Sequence, residues 1–587
     1  MSAARRQAGG IVRRLLAVVV LIAVAAFAWL WHTENRGTAG PGIATLAKPQ
    51  AAADPDALSR KLIPDEDLPP DGTRSLFDHL IAQNQQLPYP FEKLVALVQK
   101  LSPDGAAPVM LLIPQGRSLL KAQADYEHPR AVLAADFQAA DTPTALGLST
   151  RGQLFLGFVE NAHEVEVISY NEAAGRYEFQ LVQNYCDGCA PKLVYARRVI
   201  CQACHQGSAP IFPQRPWNET NGEPETAEKI RAARGNDAPY LGVPLSVPLG
   251  NPERFEQLVD VGDFVPPTQR AWIDGCGDGE AGIACRRQML KMALAYLWNP
   301  GEFDEHGADA AQLRQLQAAH WPKSGIAVAD GDLRNRDPIG EGRGIAGWFR
   351  GLLSRPPKPG EGAKNNEDLA AFDKLPRLRA ELDPLTPRPP RRVLTAADID
   401  GAYGLAALIT DADFKTLESA GAFKLDALLA AADRADAAHF APAPYSRVKT
   451  MNALLAALGH TPAPDYCCLS TAELSPPLAS GVPPLRIEQH AELRNFEHYC
   501  FACHRGNPSQ RLNFMAGDSE DAVLALIKAK AEIRDVLDWT RYAGTDKANK
   551  LMPPADSRQR AALEAAVKQD PKLLDSMRDT VPSLFNF

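Results

Sequence analysis

The sequence predicts an α+β protein of several domains, and three features of the 587-residue chain lead to that prediction. Hydrophobic residues make up 45% and charged residues 23%, which is typical of globular domains with a full core. Short apolar runs of strand length cluster between residues 108 and 183, whereas Ala- and Leu-rich segments with helical spacing follow later. A chain of this length accommodates roughly three or four domains of ordinary size.

The first 35 residues predict a membrane anchor. An uncharged apolar run, residues 15–31, is just long enough to span a bilayer as a helix at about 1.5 Å of rise per residue. It is preceded by the arginines Arg5, Arg6, Arg13 and Arg14. Because arginines stay on the cytoplasmic side, we expect inner-membrane attachment with the bulk of the chain in the periplasm. The alternative is a cleaved signal peptide, although no small-x-small site follows the run directly.

Charge and compartment limit the partners and the state of the cysteines. The formal net charge is −8, and no long basic run follows the first fourteen residues, so no nucleic-acid partner is expected. An exported chain enters an oxidising compartment. Its ten cysteines are therefore expected to be bridged, metal-bound or covalently modified.

Two copies of one cysteine-histidine pattern dominate the sequence. Residues 184–207, NYCDGCAPKLVYARRVICQACHQG, hold four cysteines in two C-x-x-C pairs, which alone is the usual sign of a zinc ribbon. A histidine follows the second pair directly, however, and the same C-x-x-C-H arrangement recurs almost 300 positions later. The two copies are Cys201, Cys204 and His205, and Cys500, Cys503 and His504.

This spacing is that of haem attachment in c-type cytochromes. The two thiols add across the haem vinyl groups as thioethers, and the histidine becomes the proximal ligand of the iron. The sequence therefore predicts two covalently attached haem c groups, with His205 and His504 as iron ligands. The alternative for each copy is a disulfide beside an incidental histidine.

The C-terminal segment, residues 481–587, resembles a class I cytochrome c domain. The resemblance rests on the CFACH motif near its start, the later segment KANKLMPPAD, and the closing segment SRQRAALEAAVKQ. It implies an all-α fold with Met552 as the distal ligand of the second haem, a soft thioether that stabilises the reduced iron. Met515 is the alternative, but it lies close to His504 along the chain for a ligand on the opposite haem face.

The distal ligand of the first haem stays open. No M-P-P segment follows His205. The candidates are Met289, Met292, His163 and His306, and an unligated position is equally compatible with the sequence.

The remaining chain is divided by composition. The predicted segments are an anchor (1–35), a tether (36–72), a mixed domain with haem 1 (73–352), a Pro- and charge-rich linker (353–394), a helical region (395–480) and the cytochrome c-like domain (481–587). Residues 164–185 predict a hairpin with its turn at 171–175. Thr410 and Asp411 are expected to cap a helix.

The other six cysteines are expected to be oxidised. Cys276 and Cys285 enclose a Gly-rich loop and predict a local disulfide. For Cys186 and Cys189 a disulfide is favoured over a thiol-redox pair or half of a zinc site. Cys467 and Cys468 are adjacent and bridge either elsewhere or to each other.

Two function classes follow from the haem motifs. The first is a membrane-anchored periplasmic di-haem cytochrome that transfers electrons, with a redox partner that the sequence does not specify. The second is a haem-dependent oxidoreductase in which haem 1 has an open face, because the layout is similar to di-haem peroxidases and haem-dependent oxygenases. Further motifs of those enzymes are not found here, and no hydrolase or metalloprotease spacing occurs.

Overall fold

The structure is a computed structural model, and the fold is described for the residue ranges given next. These are 68–84, 86–100, 107–114, 124–135, 152–202, 205–210, 220–329, 391–461, 474–478, 485, 487–505, 514–543, 551–553 and 558–581. Within them, no helix is long and apolar enough to cross a membrane. The predicted anchor at 15–31 lies outside these ranges, as do most of the tether and linker, together with Cys204, Cys467 and Cys468.

The fold is mixed α+β, as predicted, and is built on one antiparallel sheet. Its six strands lie in chain order, each paired with the next. They are β1 (Val109–Ile113), β2 (Arg130–Ala134), β3 (Leu154–Val159), β4 (Glu164–Asn171), β5 (Arg176–Gln183) and β6 (Lys192–Tyr195). The predicted hairpin is confirmed, because β4 pairs with β5 from Val165↔Val182 to Asn171↔Arg176 around the expected turn.

Both faces of β5 are buried. Its apolar positions alternate with Glu178 and Gln180, a pattern that in an isolated sheet would turn the polar side chains toward water. In the folded chain these two side chains are 0% and 1% exposed, because α1 (Leu76–Asn84) and the residues before it cover that face. Ser75 Oγ donates a hydrogen bond to Gln180 Oε1 at 2.8 Å. The polar face is therefore a buried hydrogen-bonded layer.

Helices occupy most of the remaining described chain. After α1 come α2 (Phe91–Gln99), α3 (Arg198–Gln202), α4 (Pro224–Arg234), α5 (Gly250–Arg270), α6 (Gly279–Trp298) and α7 (Ala308–Ala318). A two-stranded ribbon, β7 (Ile326–Val328) with β8 (Arg392–Leu394), precedes α8 (Asp400–Leu408), α9 (Asp411–Ala420), α10 (Leu425–Arg434) and α11 (Arg447–Ala457). Thr410 caps α9 in a reciprocal capping box with Asp413, which confirms its predicted role.

The mixed region and the helical region share one hydrophobic core. That core includes strand residues such as Leu111 and also Leu405 and Met451 from α8 and α11. The β7–β8 pairing ties the last residues of the predicted linker, just before the helical region, to residues that precede the linker. The described helices of the segment predicted as a separate helical region (395–480), which end at residue 457, thus pack on the sheet-bearing part of the chain.

A second core forms near the C-terminus. It is built from helices α12 (Leu493–Tyr499), α13 (Phe501–His504), α14 (Glu520–Lys528), α15 (Glu532–Val536), α16 (Arg558–Gln569) and α17 (Leu573–Asp579). Helices are the only regular elements among the described residues from 487 to 581. Phe496 and Leu563 are fully buried at its centre, and Cys500 belongs to the same cluster.

Candidate functional site: the two C-x-x-C-H turns

The second motif forms a single helical turn, in which Cys500 precedes α13 and Cys503 and His504 belong to α13. The backbone N–H of Cys503 donates to the carbonyl of Cys500 at 3.1 Å, and the N–H of His504 donates to the same carbonyl at 2.9 Å. Residues three and four positions apart on a helix lie on one face. Cys500, Cys503 and His504 therefore present two thiols and an imidazole from the same side of the turn.

The first motif has the same backbone hydrogen bond. It begins at Cys201 within α3, a helix that starts three residues after β6 ends, and the N–H of His205 donates to the carbonyl of Cys201 at 2.8 Å. Cys201 and His205 are thus one helical turn apart, as Cys500 and His504 are. The sheet positions this turn, because α3 follows β6 directly.

The described cysteines fall into two chemical groups. Cys186 and Cys189 form a disulfide with their Cα atoms 5.2 Å apart, and Cys276 and Cys285 form another, as favoured from the sequence. Cys500 and Cys503 have the same C-x-x-C spacing as the first of these pairs, yet they carry no disulfide. Burial raises the pKa of the Cys500 thiol to about 12, with a smaller contribution from Cys503, so this thiol stays protonated.

This donor set fits a covalently held haem. Thioether formation needs two unbridged thiols beside an imidazole on one face, and the turn at Cys500–His504 supplies all three. A zinc ribbon fits less well, because the disulfide removes Cys186 and Cys189 as thiolate ligands. No group of three or more His, Cys, Asp or Glu side chains converges on a metal position anywhere in the described chain. A haem iron needs only one or two protein ligands.

The two motif turns lie against each other. Arg197, just before α3, donates from Nη1 to the carbonyl of Phe501 in α13 at 2.8 Å, across 304 residues of sequence. Close by, the N–H of Tyr195 donates to the carbonyl of Leu478 at 2.7 Å. Nothing in the local sequence pattern predicts this contact.

The Phe179 side chain lies close to both His205 and Arg198. The Phe179 ring on β5 lies with its centroid 5.7 Å from that of the His205 ring, and the Arg198 guanidinium carbon lies 5.5 Å from the same Phe179 centroid. Arg198 was not among the functional residues predicted from the sequence. The sequence feature that could have identified it is its position at the start of α3, the helix that leads into the first motif.

A buried ion triad holds Arg198 in place. Its Nη1 donates to Glu178 Oε2 at 3.0 Å and to the carbonyl of Tyr177 at 2.7 Å. Arg176 Nε donates to Glu178 Oε1 at 2.7 Å. All three charged side chains are 1% exposed or less, so one carboxylate is shared by two guanidinium groups in the protein interior.

Of the two methionine candidates for the second iron, Met515 contacts the backbone of His504, whereas the described contacts of Met552 are with other residues. The His504 ring lies 4.6 Å from the Phe514 ring, and the N–H of Met515 donates to the carbonyl of His504 at 2.9 Å. Met515 is fully buried in the second core. Met552 is half-buried, and its backbone is fixed by hydrogen bonds to the Val536 carbonyl and from Trp539 Nε1, each 2.9 Å long.

The four candidates for the distal ligand of haem 1 have different surroundings. Met289 and Met292 are buried in α6, and Met289 packs against Gly401 of α8. His163 and His306 are exposed. His163 ends a short 3-10 turn with a positive φ of 51°, and His306 forms an ion pair with Glu305.

Comparison with known proteins adds no relative: no family model, curated protein or solved structure matches this chain.

Proposed function

We propose that this chain is a membrane-anchored periplasmic di-haem c-type cytochrome that transfers electrons between two covalently attached haems. The observation that carries the proposal is the contact between the two C-x-x-C-H turns, formed by the Arg197 hydrogen bond to the Phe501 carbonyl. Because the two turns are almost 300 residues apart in the sequence but in contact in the fold, any groups that they hold would also lie near each other.

The chain's own groups have separate tasks in this proposal. When bound, each haem supplies an iron that alternates between the ferric and ferrous states. Cys201 and Cys204 tether the first haem and Cys500 and Cys503 the second, while His205 and His504 supply the proximal imidazoles. Met552 is the proposed distal ligand of the second iron.

Location outside the cytoplasm is part of the same proposal. Thioether-linked haem and two disulfides are both compatible with an oxidising compartment, and the disulfides Cys186–Cys189 and Cys276–Cys285 are present. Attachment to the inner membrane rests on the apolar run at 15–31.

The proposal is tested by counting covalent haems in cysteine variants. The full-length chain, produced with a c-type maturation system and then denatured, should retain two haems by its pyridine haemochrome absorbance. Replacing Cys201 and Cys204 by Ala should leave one haem, and so should replacing Cys500 and Cys503.

The chain offers a control with identical spacing. Replacing Cys186 and Cys189 by Ser removes a C-x-x-C pair that has no following histidine, and the haem count should stay at two. A count that falls in this control, or that stays at two in either motif variant, would contradict the assignment.

The alternative function is an oxidoreductase with an open haem 1. The surroundings of the four distal-ligand candidates favour it, since two are core residues of α6 and two are exposed to solvent. An absorption spectrum of the oxidised chain separates the two functions. Two low-spin haems would support electron transfer, whereas one high-spin haem that binds cyanide or peroxide would support the enzyme.

A further inference from the structure

We propose that the Cys186–Cys189 disulfide is a thiol–disulfide exchange site, at which a dithiol reduces the bond by attack on Cys189. The inference goes beyond the proposed function and does not depend on it, because neither cysteine belongs to a C-x-x-C-H motif. It assigns a two-electron reaction to a pair of residues that has no redox role in the cytochrome proposal.

The disulfide lies on an exposed turn between two paired strands. The turn follows β5 and precedes β6, and four consecutive residues on it, 187–190, are exposed to solvent. A Cβ atom added at Gly188 would meet no atom within 4 Å beyond its chain neighbours. Cys189 is therefore open to another molecule, whereas Cys186 is half-buried.

The backbone holds this turn without help from the bond between the sulfur atoms. The N–H of Cys189 donates to the carbonyl of Cys186 at 3.2 Å, and Gly188 has a φ of 70°, which favours glycine. Beyond the turn, Gln183 of β5 pairs with Lys192 of β6. The two thiols consequently stay near each other after reduction, so the bond can form again.

The residue before the disulfide is anchored in the first core. Tyr185 is 1% exposed, and its hydroxyl donates to the Pro88 carbonyl at 2.5 Å. Its N–H donates to the carbonyl of His163 at 2.8 Å. None of these contacts involves a sulfur atom, so exchange at Cys189 does not require the chain to unfold.

The other described disulfide has the opposite surroundings. Cys276 and Cys285 are both 0% exposed and belong to the first hydrophobic core. A thiolate reaches their sulfur atoms only after local opening of that core. Because exchange depends on access to a sulfur atom, exposed disulfides are the labile ones. The two bonds lie in one chain, so each serves as the reference for the other.

The reaction proceeds in two steps. A thiolate of the dithiol attacks Cys189 Sγ, and the bond between the two cysteine sulfurs breaks with its electron pair on Cys186 Sγ, which takes a proton from water. The second thiolate of the reductant then attacks its own sulfur in the mixed disulfide and releases Cys189 as a thiolate. The dithiol is oxidised to a disulfide, and the chain gains two electrons and two protons.

The relative reduction rates of the two disulfides test the proposal. Free thiols of the full-length chain are blocked with N-ethylmaleimide, and dithiothreitol is then added under native conditions. Samples are quenched with iodoacetamide and mapped by peptide mass spectrometry. Cys186 and Cys189 should gain the label faster than Cys276 and Cys285, by on the order of a hundredfold.

Denaturation provides the control for burial. In guanidinium chloride both pairs are accessible, and their reduction rates should become similar. Equal rates in the folded chain, or a slower rate for Cys186 and Cys189, would overturn the proposal. A difference that persists unchanged in the denaturant would also overturn it, because exposure in the fold would then not be the cause.

Two further reagents identify the attacked sulfur and the source of the dithiol. Brief reaction with reduced glutathione, quenched with N-ethylmaleimide, should leave glutathione on Cys189 and maleimide on Cys186, and the reverse pattern would refute attack on Cys189. Reduced thioredoxin serves as a protein dithiol. Rapid reduction by thioredoxin would identify a protein as the reductant, reaction with dithiothreitol alone would identify a small molecule, and reaction with neither would refute the proposal.

Paired substitutions distinguish an exchange site from a structural bond. Replacing Cys186 and Cys189 by Ser should lower the midpoint of denaturant unfolding less than replacing Cys276 and Cys285 by Ala, since the first bond is exposed and spans only three positions. An equal or larger loss in the first variant would indicate a structural bond instead. None of these measurements counts haems, so their failure would leave the cytochrome assignment intact, and failure of that assignment would leave the exchange site intact.

Discussion

Met552 is the residue on which ligation of the second iron is proposed to depend. Its backbone is held by Val536 and Trp539, and its side chain is half-buried. We expect Met552→Ala to convert haem 2 from low-spin to high-spin and to lower its midpoint potential, because the thioether stabilises the reduced iron. Absorption spectra of the oxidised and reduced chain measure this change.

Met515 provides the matched control for that substitution. It is a buried methionine in the same core, and its backbone is bonded to His504 itself. Met515→Leu should preserve the low-spin spectrum, since it replaces one apolar core side chain by another of similar size. A high-spin haem in Met515→Leu and a normal spectrum in Met552→Ala would reverse the ligand assignment.

His439 is expected to make the fold sensitive to acid. Burial lowers its pKa to about 4 from the ordinary value of 6.5, with further repulsion from Lys449. The unfolded chain therefore takes up a proton as the pH falls below 6.5, whereas the folded chain resists until about pH 4. The effect on stability is absent above pH 6.5, and between pH 6.5 and about pH 4 the fold loses up to about 1.4 kcal/mol for each pH unit.

The histidine contribution is isolated by His439→Gln. The variant keeps a polar group near Thr450, whose Oγ1 lies 3.0 Å from His439 Nε2, but it has no proton to gain. Denaturant unfolding should show a smaller loss of stability from pH 7.5 to pH 5 than in the wild type. Above pH 7 the free energy of unfolding should change with pH in the same way in both proteins. If it also changes in the same way below pH 7, the expected role of His439 is wrong.

At the level of secondary structure, the contact beside α3 and α13 fixes how the two proposed haem sites lie relative to each other. Arg197 provides its hydrogen bond by donating to Phe501. Arg197→Ala should loosen this contact and slow electron equilibration between the haems several-fold after flash reduction, while each haem keeps its absorption spectrum. The hydrogen bond also contributes about 1 kcal/mol to the docking of the two turns.

An arginine near the same motif but outside the contact is the control. Arg494 is exposed on α12, six residues before Cys500. Arg494→Ala should leave the equilibration rate unchanged. Equal rates in both variants and the wild type would show that the Arg197 contact does not position the haem sites.

The strands were predictable from sequence, whereas their surroundings were not. Apolar runs and alternation identified β1 to β5, because period-two patterning is a local property of the chain. The same alternation gave no indication that Glu178, one of its polar positions, is fully buried. Which element covers a strand face depends on tertiary packing, and local periodicity carries no information about it.

The two motifs and the two local disulfides could be located from the sequence, whereas the contact between the motif turns could not. Spacing alone identified both C-x-x-C-H motifs and the two local disulfides. The contact between Arg197 and Phe501 was not predictable, since it joins positions 304 residues apart through the packing of two cores. The same holds for the arrangement of Arg198, Phe179 and His205, which requires the pairing of β5 with β6.

For the whole molecule, the described chain has two cores rather than a core for each predicted segment. The sheet-bearing part and the helices around Leu405 and Met451 form the first, and the helices from Leu493 to Val581 form the second. Each core supports one of the two motif turns. In the proposed function, each of the two cores therefore supports one haem site.

The central claim, that both turns carry a covalent haem, is tested most directly by peptide mass mapping of the purified full-length chain. After denaturation and proteolysis, haem should remain on the peptide that contains Cys201 to His205 and also on the peptide that contains Cys500 to His504. Cleavage between Cys189 and Cys201 separates the two C-x-x-C pairs. The resulting peptide with Cys186 and Cys189 should carry a disulfide and no haem. Unmodified or disulfide-bonded cysteines at either C-x-x-C-H motif would contradict the account.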